Sequence, residues 1–541
     1  MSEHAPAVAT SLEPVIGLEI HVQLGTRTKM FCGNAVEFGA EPNTHVCPVC
    51  LGLPGALPVI NGDAVRLAMR AGLGLNCAIH ETSVFARKNY FYPDLPKGYQ
   101  ITQFDRPICT GGYLDAGHGD KADRLGSAPD VEWKSGGVED RGDVRGDASD
   151  AHRPLVRSST HPLDVTAEGS AAVAPPAGRV RIRRIHLEED AGKSIHDRLP
   201  GRTAVDLNRA GTPLCEIVTE PDLRSPAQAR AFLTRLKQIL EYLEVSDCDM
   251  EKGSLRVDAN VSVRPVGTDA LGVKTEVKNM NSFSNVERAL AFEIRRQTAE
   301  VEAGRAITQE TLLWDAARGE ARPMRSKEES HDYRYFPEPD LPPLVLEEGQ
   351  IERERAALPE LPDARLHRFV EAYGLPAYDA EVLTATRPLA DYYEAAATAA
   401  GNPKAASNWV MGEVLGWANQ HQTPVEALAV KPEHIGELIR LVADGTLSHN
   451  LARQVFEKSA TTGRAPGEIV RAEGLTQVRD TGQLETWADE VVAANAEAAA
   501  RYRAGEAKLL GFFMGEVMKK SRGKADPRQA TQALRERLSR E

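Results

Sequence analysis

The segment from Val15 to Leu24 alternates cleanly: Ile16, Leu18, Ile20, Val22 and Leu24 are apolar, whereas Glu19, His21 and Gln23 are polar. Side chains alternate across a strand, so this pattern predicts a strand with one face in the core and a carboxylate beside an imidazole on the other. A slip of one residue would bury both polar groups, which specifies the register. From Ser254 to Arg264 the pattern repeats, with Leu255, Val257, Ala259, Val261 and Val263 opposed to Arg256, Asp258, Asn260 and Arg264. Between Val273 and Asn279, Val273, Thr275 and Val277 oppose Lys274, Glu276 and Lys278. A single strand of this kind reads as the solvated outer face of a half-exposed sheet. For several strands bearing both acids and bases, that reading and a concave active face are about even.

Helical spacing appears between these strands. One helix is predicted from Asp63 to about Leu75, with Val65, Leu67, Ala68 and Leu73 on its apolar side. A second starts at Ser225-Pro226, with Gln228 placed to close a capping box, and carries Phe232, Leu233, Leu236, Leu240 and Leu243. A third opens with Ser284 and Glu287, carries Val286, Leu290 and Ile294, and ends near Gly304. Beyond about residue 300 the chain reads as mostly helical, interrupted by the proline-rich loop His331–Pro343, and from about 400 onward as short helices with Gly and Pro stops. Residues 112–178 are rich in Gly, Asp, Ser and Ala without a clear period, and read as a long mobile insertion in preference to a small folded β-module. The fold class expected is α+β: an N-terminal domain on an antiparallel sheet over 1–295, an all-α domain over 296–400, and an α-helical C-terminal domain over 401–541.

The length of 541 residues exceeds what one core serves and agrees with two to four domains. No apolar run of about 18 residues predicts a membrane span, and the first residues lack an apolar signal core. Seven thinly spread cysteines fit a reducing, cytoplasmic setting rather than a disulfide framework. A net charge of −13 means that any nucleic-acid site must be a local basic patch. One such patch is Lys508, Lys519, Lys520, Arg522, Lys524 and Arg528 around Leu510, Phe512, Phe513, Met514 and Met518; alone it reads as a solvated charged face.

Candidate chemistry lies in the acids Glu188, Glu189, Asp190, Glu216 and Glu220. Converging carboxylates would hold Mg²⁺, which takes hard oxygen ligands and bridges to nucleotide phosphates. The run Ala191-Gly192-Lys193-Ser194 resembles the end of a phosphate-binding P-loop, but Leu187 stands where the first glycine is required and three acids lie between. A P-loop is therefore rejected and a metal site kept. Cys47-Pro-Val-Cys50 with Cys32 upstream supplies three thiols toward a zinc site.

Read in order, VIGLEIHVQL (15–24), FGAEPNTHVCPVCLGLPGALPVIN (38–61), KNYFYPDLPKGYQITQFDRPI (88–108), HLEEDAGKS (186–194), DLNRAGTPLCEIVTEPD (206–222), EKGSLRVDANVSVRP (251–265), EVKNMNSFSNVERAL (276–290), DYRYFPEPDLPPL (332–344) and SNWVMGEV (407–414) resemble the B subunits of the tRNA-dependent amidotransferases. The resemblance covers nearly the whole chain apart from the stretch near 112–178. It implies a cradle domain like the glutamine-synthetase-type kinase core, then a helical domain and a tail domain that contacts tRNA. It implies ATP- and Mg-dependent phosphorylation of the side-chain carboxylate of Glu-tRNA(Gln) or Asp-tRNA(Asn), followed by amidation. It also carries the family's metal site onto Glu19, His21, Glu189 and Glu216. Lys88, Tyr90, Tyr92 and Lys97 fall in a matching run expected to line the same cradle, and Arg256, Asp258, Asn260 and Lys278 are candidates for phosphate and substrate contacts. For Tyr90 and Tyr92, packing of the sheet is an equal reading. Many family members have a further Cys two residues after the first, where this chain has Asn34, so the site of Cys32, Cys47 and Cys50 reads equally as zinc-bound, with His45 as a fourth ligand, or as degenerate. The chain has no amidase or nucleophile-elbow signature of a glutaminase. The resemblance accordingly implies two partners in a heterotrimer: the amidase, or A, subunit, which supplies ammonia, and a small C subunit. Two other readings stay open: a free-standing ligase acting on a small acid, and a tRNA-binding scaffold without activity.

Overall fold

The alternating segment at the start of the chain becomes the central rib of a large sheet. The computed structural model describes residues 11–116, 178–199, 201–324, 333–475, 481–521 and 523–539. Its strands are β1 (Leu12–Gln23), β2 (Ala78–Ile79), β3 (Thr82–Ser83), β4 (Phe85–Asn89), β5 (Tyr99–Gln103), β6 (Cys109–Asp115), β7 (Arg179–Glu189), β8 (Lys193–Leu199), β9 (Arg202–Asp206), β10 (Pro213–Thr219), β11 (Leu255–Pro265), β12 (Thr275–Met280), β13 (Thr311–Asp315), β14 (Glu320–Pro323), β15 (Phe336–Pro337) and β16 (Leu344–Val345). The main sheet runs β14-β13-β12-β11-β1-β10-β7-β5-β4-β15, with β6 also on β7 and β2 on β6. Its pairs are antiparallel except β12 with β13. The expected α+β class and antiparallel-rich sheet are therefore present.

One face of this sheet is covered by helices α1 (Gly62–Gly74), α2 (Pro226–Tyr242) and α3 (Phe283–Glu302). Ile16, Leu18, Ile20 and Val22 of β1 share a single core with Val65 of α1, Phe232 and Leu236 of α2, and Val286 and Leu290 of α3. Covering one face with apolar helices leaves the alternate residues of every central strand on the other face. The caps follow local chemistry. Asn61 accepts from the N–H groups of Asp63 and Ala64 at the start of α1. Ser225 accepts from Gln228 N–H at the start of α2, and the Gln228 side chain takes the N–H of Arg224 instead of that of Ser225. For α3 the cap is Ser282, which accepts from Asn285 N–H, so the expected start at Ser284 lies two residues inside the helix.

The expectation of helices after residue 300 is corrected. The boundary at 296 falls inside α3, and β13 and β14 then extend the sheet. Leu312 and Trp314 alternate into the core, a five-residue signal too short to stand out against its surroundings. The segment after Tyr333 returns to pair with the early strands, β15 on β4 and β16 on β3. Helix α4 (Gln350–Ala356) follows, and the first compact unit ends at Leu361. The expected insertion at 112–178 is shorter at its start. Residues through Asp115 belong to β6, and Asp115 pairs directly with Arg179 at the start of β7. The expected mobility itself concerns residues 117–177, which lie outside the described residues.

The second unit begins at Pro362. Its helices are α5 (Pro362–Tyr373), α6 (Ala377–Leu383), α7 (Arg387–Ala400), α8 (Pro403–Trp409), α9 (Leu415–Gln420), α10 (Pro432–Ala443), α11 (His449–Thr462), α12 (Pro466–Glu473), α13 (Thr481–Ala494), α14 (Ala496–Arg503), α15 (Leu509–Lys520) and α16 (Pro527–Leu538). Left-handed glycines Gly401, Gly463 and Gly474 stop α7, α11 and α12, as the glycine pattern predicted. The expected division at 401 runs through a common core, because one apolar cluster spans Phe369 to Val470 and a second spans Leu484 to Leu538. Among the described residues no helix is long and apolar enough to cross a membrane.

Candidate active site

Three neighbouring strands set a row of polar groups on the helix-free face. His21 of β1 lies opposite Glu216 of β10, and Glu216 lies opposite His186 of β7. Their sequence neighbours Val22, Cys215 and Leu187 point the other way into the core, which fixes the side to which the row belongs. Nε2 of His21 lies 3.4 Å from Glu216 Oε2, and Nε2 of His186 lies 3.2 Å from the same oxygen. Glu188, two residues after His186 on the same face, places its carboxylate 3.7 Å from each imidazole. All four side chains are buried. Burial alone would lower the pKa of His21, but the hydrogen bond to Glu216 and the charges of Glu216 and Glu188 outweigh it and raise it to about 9. His186 is raised against burial by the same two acids. Glu216, despite burial, is held well below the carboxylate range by His186 and His21.

A second row continues on β1, β11 and β12. Glu19 lies opposite Asp258, and Asn260 lies opposite Glu276. Asn260 donates to Glu19 Oε1 at 3.1 Å, while Lys278 reaches Asp258 at 2.8 Å and Glu276 at 2.9 Å. Burial, then the charges of Glu216 and Glu276, raises the pKa of Glu19. On β4, Lys88 is buried beside Tyr333, with its ammonium 4.9 Å from the ring centre, and burial lowers its pKa. The Tyr90 hydroxyl is buried without a hydrogen-bond partner, whereas Tyr92 is exposed.

This arrangement fits a hard divalent cation. Donor atoms of His21, Glu188 and Glu216 lie within 4.8 Å of one another. Glu216 Oε1 and Glu19 Oε2 are buried without a hydrogen-bond partner, a costly condition that a bound cation would relieve. Of the four expected ligands, His21 and Glu216 come together and Glu19 stands beside them in the adjacent row. Glu189 does not, and this is a correction. It follows Glu188 on β7 and therefore points to the opposite face, where it forms an ion pair with Lys97 and accepts the Ile101 N–H at 2.9 Å. Lys97 is thereby also moved away from the helix-free face. Glu188, one of the acids that the sequence offered as metal ligands, stands in the place the resemblance gave to Glu189; His186 was missed as an orienting group, although its spacing of two from Glu188 on one strand was the available signal.

The remaining candidates have other partners. Arg256 bonds Asp190 at 2.9 Å, and Arg209 donates to the carbonyls of Ala191 and Gly192. Lys193 opens strand β8 and not a helix, which agrees with the rejection of a P-loop. On the far side of β7, Glu189 and Lys97 line a pocket of about 300 Å³ together with Phe31, Cys32, Cys50 and Gly211. Sulfurs of Cys32, Cys47 and Cys50 cluster within 4.8 Å. A hydrogen bond from Cys32, the Cys47 N–H and the Lys29 ammonium hold the Cys50 thiol well below its ordinary range. Asn34 donates to Cys50 at 3.6 Å. His45 does not join the cluster; its ring lies 3.5 Å from Glu37.

Comparison with known proteins gives a concordant result. Residues 14–352 match the GatB/GatE catalytic domain, and residues 391–538 match the GatB domain. The B subunit of the aspartyl/glutamyl-tRNA(Asn/Gln) amidotransferase of Carboxydothermus hydrogenoformans is 47% identical over 530 residues, covering 97% of this chain and 99% of the relative. The protein of the same name from Geotalea daltonii is 48% identical over 527 residues, covering 97% and 98%. That from Prosthecochloris aestuarii is 47% identical over 530 residues, covering 98% of each. With both domains matched and nearly half of all positions identical end to end, the chain belongs to the GatB/GatE family, among the B subunits of the aspartyl/glutamyl-tRNA amidotransferases.

Proposed function

We propose that this chain is the activating member of a heterotrimeric tRNA-dependent amidotransferase, a glutamine-dependent carbon–nitrogen ligase working in translation in the cytoplasm. Its substrates are Glu-tRNA(Gln), Asp-tRNA(Asn) or both, and its products the corresponding amides. The observation that carries this reading is the buried row His21–Glu216–His186 with Glu188, in which Glu216 Oε1 is left without a partner, as is Glu19 Oε2 beside it.

A carboxylate resists attack by ammonia because its oxygen is a poor leaving group. Transfer of the ATP γ-phosphoryl to that oxygen, with ADP leaving, replaces it by phosphate; ammonia then forms the C–N bond as phosphate departs. Bound Mg²⁺ would supply charge neutralisation between the carboxylates and the nucleotide phosphates. Glu188, Glu216, His21 and Glu19 would hold it. His186 shares the Glu216 oxygen that His21 uses and so orients that carboxylate. Lys88, facing Glu188 and Glu216 from β4, balances the transferring phosphoryl. Arg256, Asn260 and Tyr90 supply polar contacts to nucleotide and substrate, and Tyr333 beside Lys88 excludes water that would hydrolyse the acyl phosphate. The sheet thus acts as a kinase core of the glutamine-synthetase type.

The remaining assignments belong to the same proposal. Ammonia comes from the amidase partner, and the small C subunit completes the trimer. The second unit binds tRNA through Lys508, Lys519, Lys520 and Arg528, which are exposed, and Lys524; Arg522 lies outside the described residues. Cys32, Cys47 and Cys50 supply three thiols of a degenerate zinc site, one ligand short of the usual four, set apart from the His21–Glu188–Glu216 cluster by the sheet. The test is ADP formation by the assembled heterotrimer with ATP, Mg²⁺ and mischarged tRNA in the absence of an amide donor. ADP that depends on the tRNA supports the proposal. ADP with free glutamate alone would make the chain a small-acid ligase, and no ADP under either condition would make it a scaffold.

A further inference from the structure

We propose that Lys278 is a built-in second cation: its ammonium holds the place among Glu19, Asp258 and Glu276 that a second divalent ion would otherwise take, leaving the cradle with a single ion of its own. This rests on the reading of His21, Glu188 and Glu216 as a cation site.

Three neighbouring strands bring these acids together on the helix-free face. Glu19 of β1 pairs in register with Asp258 of β11, and Asn260, two residues along β11, pairs with Glu276 of β12. Carboxylates gathered on a buried face repel one another, and the stable solutions are protonation or a cation. Clusters of this composition take Mg²⁺ in phosphoryl-transfer sites, where a second ion is common. Here a lysine fills that role. Lys278 follows Glu276 by two residues and so shares its face; its Nζ sits 2.8 Å from Asp258 Oδ2 and 2.9 Å from Glu276 Oε1, at charge-assisted hydrogen-bond distances. The surroundings hold the cluster in place. Thr311 Oγ1 donates to Glu276 Oε2 at 3.0 Å, and Asn260 Nδ2 donates to Glu19 Oε1 at 3.1 Å. Lys278 and Glu276 are 3% and 4% exposed, so the charge is fixed rather than solvated. A lysine committed to two carboxylates is poorly placed to grip a phosphate, which replaces the expected role of Lys278 as a phosphate contact. Unlike a metal ion, it cannot leave with the nucleotide product.

The experiment counts ions. Mn²⁺ is titrated into the assembled, nucleotide-free complex and free Mn²⁺ is followed by electron paramagnetic resonance. The wild type is expected to bind one ion in the cradle, lost in His21→Ala. Lys278→Met is expected to bind two, the second lost again in the double variant Lys278→Met, Asp258→Asn, while Lys278→Arg keeps one. Amidation by Lys278→Met should fall at least tenfold at low Mn²⁺ and recover as Mn²⁺ is raised, with a steeper dependence on the ion than the wild type; loss of packing alone would give neither. Two cradle ions in the wild type, or one in a folded Lys278→Met without recovery, would overturn the proposal, and the wild-type count decides even where that variant fails to assemble. A wild type that binds none, or whose ion survives His21→Ala, sinks the underlying cation site instead.

Discussion

Glu188 and Glu189 are consecutive on one strand and serve opposite faces of the sheet: the first reaches His21 and accepts from the Thr102 hydroxyl, the second pairs with Lys97. Their glutamine variants should therefore fail differently. Glu188→Gln is expected to lower Mn²⁺ affinity and tRNA-dependent ADP formation by about a hundredfold while leaving the fold intact. Glu189→Gln leaves Lys97 buried beside a neutral amide and should cost about 3 kcal/mol of stability with cation affinity unchanged. Denaturant unfolding read beside Mn²⁺ titration separates the two, and equal loss of the ion in both variants would count against the division of the faces.

Glu216 receives an imidazole from each side. Removing His186 frees the carboxylate to turn, so His186→Ala should weaken Mn²⁺ binding by about ten- to a hundredfold. His186→Gln, which can still donate to the same oxygen, should recover part of that loss. Calorimetric titration of Mn²⁺ into the three proteins measures it.

In the second unit, Glu394 takes hydrogen bonds from Arg365, Arg368 and Tyr373. Burial opposes ionisation, but these donors outweigh it and lower the Glu394 pKa to about 2. A depressed carboxylate pKa contributes stability that is complete above the unfolded value of about 4.5 and is lost as pH falls toward about 2. Unfolding followed by helix signal should show this unit weakening across that window. Glu394→Gln should flatten the dependence and cost about 1–2 kcal/mol at neutral pH, the pair being partly solvated.

Asn34 stands 3.6 Å from Cys50, beside a cluster of three thiols that is one ligand short of the four a structural zinc takes. Asn34→Cys is expected to tighten zinc binding by tenfold or more, on the order of one additional thiolate ligand. Competition with a chromophoric chelator reads the affinity directly. An unchanged affinity would mean that the three existing sulfurs do not act together as a metal site.

Much of the central sheet was legible because its strands are long. In β1 and β11 the two-residue period runs through ten or more positions, and it placed Glu19, His21, Asp258 and Asn260 on the correct face from sequence alone. The same rule, applied within HLEED, separates Glu188 from Glu189; the family resemblance pointed to Glu189, and strand parity points it away from His21. Strands β13 to β16 were lost for a physical reason. They have only two to five residues, too few for a period to stand out, and β13, β15 and β16 lean on partners far away in sequence, such as β4 for β15, whereas β14 pairs with the neighbouring β13. The ion pair of Lys97 with Glu189 joins residues 92 positions apart and was invisible for the same reason.

Asp115 and Arg179 sit directly across from each other, joined by a bidentate ion pair at 2.7 and 2.8 Å. The strand ends on either side of residues 117–177 are thus clasped together on the sheet. Such a junction is indifferent to the amount of chain strung between its ends: a tight turn, a reporter protein or an enzyme could be spliced there, and the polar rows on neighbouring strands would keep their spacing.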